Sequence, residues 1–130
     1  MSTIHAITFT DLDLPHWLAK ASDADLDRLD FGTIGMNEVG VVCRYNRFES
    51  EAAGLSPERV LGHPLFTVVA PCMNNFLVAQ RFEDALTSGN TLDATIDYVL
   101  TLRMRPVKVK LRLLAVAGAG MRWVLVHRLA

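Results

Sequence analysis

The chain contains only two cysteines among its 130 residues, Cys43 and Cys72. Its four histidines are scattered, and neither they nor the cysteines have the spacing of a metal site. No run of about 18 apolar residues occurs, so no transmembrane helix is expected. The first residues also lack the basic and then apolar pattern of a secretory signal. The sequence therefore predicts a cytoplasmic protein with reduced thiols, no metal and no contact with a membrane.

Charge of either sign is also scarce. The net charge is −1, and 21% of the residues are charged whereas 51% are apolar. This balance gives no electrostatic basis for binding nucleic acid. The apolar excess implies that additional side chains are buried, line a ligand cavity or face a partner. The length predicts one domain, which we divide into an N-terminal cap at 1–25 and a domain proper at 26–130.

The predicted elements follow the order strand, strand, short helices, long helix and three strands. Alternation and turn residues predict strands at 31–36, 40–45, 93–103, 107–113 and 121–128. Capping residues and apolar stripes predict helical segments at 22–29, 46–53, 56–62 and 75–87. Residues 1–21 have the least regular pattern. This order predicts the α+β class, with a central antiparallel sheet of about five strands and helices on one side.

The stretch from Thr67 to Asn75 surrounds one of the two cysteines. Pro71 fixes its own φ and favours an extended Ala70, so Cys72 is presented on a rigid turn. Val68 and the two residues after it are apolar and are expected to face inward. A single cysteine of this kind is more often a small buried apolar residue than a functional one. A functional role for Cys72 therefore depends on matches elsewhere in the chain.

Taken together, several short matches resemble the photoactive yellow protein family, whose fold is the PAS fold. The matching residues lie at 26–32, at Tyr45 and Asn46 with Glu49 four residues after the tyrosine, at 69–72, 88–90, Met104, 106–110, Trp123, Val124 and Val126. No single match is decisive, but their order and spacing make a specific set. The resemblance extends over about residues 26–128.

The resemblance implies a blue-light photoreceptor that carries trans-p-coumaric acid as a thioester on Cys72. The phenolate oxygen of this chromophore would be hydrogen-bonded by Tyr45 and by a protonated Glu49. Light would isomerise the double bond, and Glu49 would then give its proton to the phenolate. The resulting carboxylate would be buried and unpaired, so the protein would partly unfold, mostly at the cap. Thermal recovery, in which Met104 is implicated, would close the cycle.

The same resemblance assigns the other residues of the chromophore pocket: Ala53, Leu55, Leu65, Val69, Ala70, Pro71 and Leu100. Ala53 stands where the family has a hydroxyl residue that supports the tyrosine, and Leu55 stands where it has an arginine that covers the pocket. Two of the leucines stand where phenylalanine is common, so we expect a less aromatic pocket. Arg47 and Arg105 are the candidates for the missing positive charge.

The chemistry of Tyr45 and Glu49 is consistent with this interpretation. A buried phenolate is costly unless hydrogen-bond donors meet it. Tyr45 supplies an O–H donor, and Glu49 supplies one only when it is protonated, which burial favours. A lone buried carboxylate would cost several kcal/mol. That is a sizeable part of a typical domain stability of about 5–15 kcal/mol.

Two other functions remain open. The first is a PAS module that binds a non-covalent ligand or a protein partner, with Cys72 unmodified. The second is a cysteine-dependent acyl-transfer enzyme, for which His63 is the nearby candidate base. Because no orienting acid is evident beside His63, the sequence predicts that the protein is not an enzyme.

The expected partner is an unknown signalling protein, and the expected state is a monomer or a weak homodimer. Lys108, Lys110 and Arg112 form a basic strand face. This face is either exposed to solvent or covered by the acidic N-terminal segment until light releases it.

Overall fold

The computed structural model describes residues 7–101, 105–116 and 118–129. In these ranges the chain forms one antiparallel sheet of five strands in the order β2-β1-β5-β4-β3. The strands are β1 Gly32–Met36, β2 Val42–Tyr45, β3 Leu92–Leu100, β4 Val107–Ala115 and β5 Arg122–Arg128. The α+β class and the PAS-like sheet predicted from the sequence are confirmed.

The helices connect the two ends of this sheet. They are α1 Leu14–Lys20, α2 Asp23–Asp27, α3 Arg47–Ala53, α4 Pro57–Val60 and α5 Ala79–Ser88. A π-helical turn at Leu65–Val69 and a 3-10 turn at Pro71–Met73 lie between α4 and α5. Among the described residues, no helix has the length and apolar content that crossing a bilayer would require.

The helix α5 begins four residues later than the sequence predicts. The side-chain oxygen of Asn75 accepts hydrogen bonds from the backbone N–H groups of Leu77 and Val78, at 3.0 and 3.2 Å. These bonds hold the chain in a turn before the helix begins at Ala79. Asn75 therefore forms a turn ahead of the helix rather than the first residue of the helix.

One face of the sheet carries the main core. Side chains from β1, β4 and β5 pack there against α5 and against the segment between α4 and α5. The largest fully buried members of this cluster are Met36, Leu65, Met73, Phe82, Leu111 and Leu113. Burial of these side chains supplies the main driving force for docking the Cys72 segment on the sheet.

The opposite face is covered by the N-terminal segment. Phe9, Leu14 and Leu18 are buried there against Trp123 and Leu125 of β5. The helix α1 was not predicted, because it has seven residues and no side-chain cap. Leu14 and Leu18 are four residues apart and both fully buried, so packing rather than local sequence stabilises this helix.

The basic face of β4 is not uniformly exposed to solvent. Arg112 is only 4% exposed, and its Nη1 donates to the carbonyl oxygens of Phe9 and Asp11 at 3.0 and 2.7 Å. Asp93 of β3 accepts from Nε and Nη2 of the same guanidinium. Lys110, by contrast, pairs with Asp97 in an exposed position. The prediction of a solvated face is therefore wrong at Arg112, where the backbone of the N-terminal segment covers the strand.

We expect Arg112→Gln to loosen the N-terminal segment. The change leaves the carbonyls of Phe9 and Asp11 without their charged donor, so it should lower the free energy of unfolding by about 2 kcal/mol. It should also speed proteolysis within residues 7–21. Urea unfolding and limited proteolysis measure the two effects. The matched variant Lys110→Gln removes an exposed ion pair and should cost less than about 1 kcal/mol. Equal effects of the two variants would contradict an anchoring role for Arg112.

Candidate functional site

The segment that carries Cys72 is held to the core by three buried side chains. Leu65 is fully buried at the start of the π-helical turn, and Ala70 and Met73 are each 1% exposed on either side of Pro71. Cys72 is half-buried and packs against this cluster. Val68 is 57% exposed, so the prediction that it faces inward is wrong, because the π-helical turn directs Leu65 rather than Val68 into the core. Pro71 is exposed.

The backbone carbonyl of Cys72 is fixed by two side chains that the sequence analysis did not select. The Tyr98 hydroxyl donates to this carbonyl oxygen, and the Asn75 side-chain amide donates to it at 3.2 Å. Asn75 also donates to the Tyr98 hydroxyl. The alternation of β3 could have indicated Tyr98, because it shares the core-facing side of the strand with Ile96 and Leu100.

Tyr45 is partly buried where β2 ends. Its hydroxyl donates to the carbonyl oxygen of Leu55 at 3.3 Å, and the Ser50 hydroxyl donates to the same oxygen at 2.8 Å. Burial raises the pKa of Tyr45 well above its usual range; the charge of Glu49 raises it further, and that of Arg128 opposes the rise. The phenol of Tyr45 is therefore a persistent O–H donor, and both charges act on it.

The position of Glu49 is set by Asn46, the N-cap residue of α3. Asn46 is fully buried, and its side-chain oxygen accepts from the N–H groups of Glu49 and Thr33 at 3.1 and 2.9 Å. Its side-chain amide donates to the carbonyls of Leu26 and Phe31 at 2.9 and 3.0 Å. These four bonds tie the start of α3 to β1 and to the end of α2, so Glu49 is held at a fixed place beside the sheet.

Gly32 of β1 leaves room for the carboxyl group of Glu49. A Cβ atom at position 32 would overlap Oε1 of Glu49 and would crowd Val126 on the neighbouring strand. Glycine in a strand interior often marks such a close approach. The absence of a side chain at this strand position is therefore part of the site. Gly32 lies in the matched stretch 26–32, but the sequence analysis predicted no role for it.

The carboxyl group of Glu49 is paired with Arg128, the last residue of β5. Nη1 of Arg128 donates to Oε1 at 2.7 Å, and Nη2 donates to Oε2 at 3.0 Å. The side chain of Glu49 is 2% exposed and that of Arg128 is 18% exposed. The sequence analysis expected a protonated Glu49 that becomes an unpaired carboxylate only after proton transfer, and it did not expect this cationic partner. Arg128 is thus the cation that pairs with Glu49, whereas the side chains of Arg47 and Arg105, the candidates for the positive charge over the pocket, are exposed.

Most of the apolar residues predicted for the pocket lie in one cluster. Leu65, Ala70 and Leu100 are buried in it, and Leu55, Val69, Tyr45 and Cys72 pack against it. Ala53 is also buried, at the end of α3. Met104 lies outside the described residues. The structure therefore brings the predicted attachment residue, the tyrosine and the apolar residues together.

Other kinds of chemistry find less support in the described part of the chain. Cys43 and Cys72 are both free thiols. His63 is exposed, and its described hydrogen bonds are made by its backbone. No group of three or more histidine, cysteine or acidic side chains that could hold a metal occurs in 7–101, 105–116 or 118–129.

Comparison with known proteins identifies the family. The chain is 34% identical over 122 residues to photoactive yellow protein from Rhodothalassium salexigens, which covers 94% of this chain and 97% of that protein. It is 34% identical over 129 residues to photoactive yellow protein from Halochromatium salexigens, with 99% and 100% coverage. The chain belongs to the photoactive yellow protein family. No protein-family model matches it.

Solved structures agree with membership of the photoactive yellow protein family. The photoactive yellow protein domain of the sensor histidine kinase Ppr from Rhodospirillum centenum superposes with a TM-score of 0.79 at 40% identity, covering 86% of this chain and 97% of that domain. The PAS domain of the quorum-sensing receptor RpfR from Cronobacter turicensis, in complex with BDSF, gives a TM-score of 0.61 at 14% identity, covering 79% of this chain and 97% of that domain. The second similarity shows the shared PAS fold alone.

We expect the phenol of Tyr45 to ionise above the ordinary value of about 10. The chain has two tyrosines, so Tyr98→Phe leaves one to follow by tyrosinate absorbance. In that background Glu49→Gln should lower the midpoint, whereas Glu51→Gln, an exposed acid on the same helix, should not. Since the folded protein holds this proton more tightly than the unfolded chain, the tyrosine should reduce stability as pH rises through and beyond 10.

Circular dichroism along the titration shows whether the fold persists at each pH. A midpoint at the ordinary tyrosine value while the protein is still folded would contradict the buried position of Tyr45.

Proposed function

We propose that the protein is a blue-light photoreceptor that carries p-coumaric acid as a thioester on Cys72. The observation that supports this most is the half-buried free thiol, which lies in the same apolar cluster as Tyr45. A thioester requires a thiol that a small acyl compound can reach, and an aromatic ring requires the apolar surroundings that this cluster offers. Membership of the photoactive yellow protein family points to the same group.

The residues present fit such a group. A buried phenolate needs hydrogen-bond donors, and the phenol of Tyr45 is one. Leu65, Ala70 and Leu100 supply apolar contacts. When bound, the chromophore would supply a double bond that light isomerises and a phenolate oxygen that accepts a proton. With Ala53 and Leu55 in the places of a hydroxyl residue and an arginine, this set of donors is smaller than in the pattern that the resemblance implies.

Each residue of the site has a role that follows from its position. With the chromophore bound, Tyr45 would turn its single O–H from the carbonyl of Leu55, which Ser50 also binds, to the phenolate. Glu49 would hold a proton at its carboxyl group and give it up after isomerisation. Asn46 keeps Glu49 beside the sheet. Tyr98 and Asn75 hold the backbone of the turn that carries Cys72, so the thiol keeps its direction. Met104 keeps its expected role in thermal recovery as a proposal.

A PAS module with a non-covalent ligand is the second candidate function. A surface cleft of about 640 Å³ favours it, bordered by Phe66, Phe76 and Phe82 and by Asn75 next to the Cys72 turn. Arg122 also lines this cleft, with its guanidinium 5.7 Å from the centroid of the Phe82 ring. Such a cleft could take a small aromatic or apolar compound without a covalent bond.

The wider setting of the photoreceptor also belongs to the proposal. The protein would act in the cytoplasm, without enzymatic activity, as a monomer or weak homodimer that binds neither nucleic acid nor membrane. Residues 1–25 would form the cap of a domain at 26–130. Light would loosen this cap from the basic face of β4 and expose that face to an unknown signalling protein.

Reconstitution tests the photoreceptor directly. Purified protein mixed with activated p-coumarate should gain a visible absorption band that bleaches after a blue flash and then recovers. The band should be absent in Cys72→Ser, which cannot form a thioester, and retained in the matched variant Cys43→Ser. Spectra in the dark and after the flash provide both readings.

Three other outcomes would change the proposal. A band that forms equally in Cys72→Ser would show non-covalent binding and favour the second candidate. A stable band that never bleaches would mean that the pocket holds the group without a photocycle. Absence of any band in the unmodified protein would contradict the proposed function.

A further inference from the structure

The ion pair between Glu49 and Arg128 is a contact that the proposed function does not by itself require. Both carboxyl oxygens accept from the guanidinium, at 2.7 and 3.0 Å, and the side chain of Glu49 is almost fully buried. This two-pronged arrangement fits an ionised carboxylate, because a neutral carboxylic acid presents one O–H donor, which a guanidinium cannot accept. The observed contact therefore corresponds to the state in which Glu49 has lost its proton.

We propose that Arg128 is the switchable counter-ion of Glu49, an assignment that rests on the proposed photoreceptor function. Arg128 binds both oxygens while Glu49 is a carboxylate, and it releases them when Glu49 is protonated. It is a positioning residue, since it acts through Glu49. In the proposed photocycle Glu49 would give its proton to the phenolate oxygen and become −1, the phenolate would become neutral, and Arg128 would stay at +1.

The position of Arg128 suits both the binding and the release of Glu49. Its side chain starts at the last residue of β5 and is 18% exposed. The guanidinium can therefore move into water when the carboxyl group is neutral and no longer binds it. Glu49, in contrast, is tied to the sheet through Asn46 and fits against Gly32. The movement belongs to the arginine rather than to the acid.

Arg47 and Arg105, the two cations considered from the sequence, have no described hydrogen bond to Glu49. The described hydrogen bond of Arg47 is made by its backbone N–H to Asp27 at 2.7 Å, and its side chain is exposed. Arg105 is exposed as well. Tyr45 directly precedes Asn46, the N-cap residue that holds Glu49, so the tyrosine and the ion pair lie at the same end of the site.

The counter-ion changes what proton transfer does to the protein. A buried carboxylate without a partner strongly destabilises a fold, whereas a guanidinium that binds both oxygens offsets much of that cost. Proton transfer here ends in a paired carboxylate instead of an isolated one. We therefore expect a signalling state that is more compact and longer-lived with Arg128 than without it.

The protein without chromophore provides the first test, by infrared spectroscopy at pH 7. With Arg128 present, the carbonyl stretch of a protonated Glu49 should be absent. Arg128→Gln should produce this band, and the band should vanish in Arg128→Gln combined with Glu49→Gln. Arg128→Lys keeps the charge and should restore the carboxylate. The matched variant Arg47→Gln removes a neighbouring guanidinium and should produce no band.

A second variant covers the case in which Arg128→Gln does not fold. Gly32→Ala keeps both charges but displaces Oε1 of Glu49, so it should also produce the protonated band. Identical carboxyl signals in the unmodified protein and in the folded Arg128→Gln or Gly32→Ala variant would overturn the proposal.

The protein with chromophore provides the second test, through the recovery after a blue flash. Arg128→Gln should recover at least about tenfold faster, equivalent to about 1.4 kcal/mol, because the paired carboxylate is no longer stabilised. Arg47→Gln should recover at the unmodified rate. Recovery of Arg128→Gln at the unmodified rate would overturn the counter-ion while leaving the photoreceptor intact. Failure of the unmodified protein to take up chromophore would contradict the photoreceptor, and the infrared comparison would then decide whether Arg128 keeps Glu49 ionised.

Discussion

A buried carboxyl group between α3 and β5 constrains the whole site. Glu49 can occupy its place only because Gly32 has no side chain, because Asn46 fixes the start of α3, and because Arg128 meets both oxygens. Each of these residues belongs to a different element. A buried charge must be paired and hydrogen-bonded to be tolerated. The burial of Glu49 therefore depends on how β1, α3 and β5 pack together.

The Cys72 turn depends on a different kind of constraint. Leu65, Ala70 and Met73 bury their side chains, and Tyr98 with Asn75 holds the carbonyl of Cys72. The thiol is thus placed by packing on one side and by hydrogen bonds on the other. The free cysteine remains half-buried, a position that would give the proposed acyl donor access to the thiol and the proposed ring apolar cover.

Sequence patterns predicted the sheet and the order of the elements, because alternation, Gly stops and N-cap residues are local signals. They also predicted Cys72, Tyr45 and Glu49 through short matches. The helix α1 was missed because it is held by Leu14 and Leu18 against β5, and such packing leaves little trace in seven residues. Arg128 was missed for a similar reason: its partner lies 79 residues away. Arg47 is close to Glu49 in sequence, yet the guanidinium that binds the carboxyl group comes from Arg128 on another element.

The last residues of β5 contact the buried acid on one face of the sheet and the N-terminal segment on the other. Arg128 binds Glu49 on the side of α3, whereas His127, the residue before it, stacks its ring 5.3 Å from that of Phe9 on the other side. Neighbouring residues of a strand point to opposite faces. The carbonyl of Phe9 is bound in turn by Arg112 of β4. The end of β5 therefore connects the buried acid to the N-terminal segment through the ring contact of His127 with Phe9, beside the connection that Asn46 makes between Glu49 and the carbonyl of Leu26.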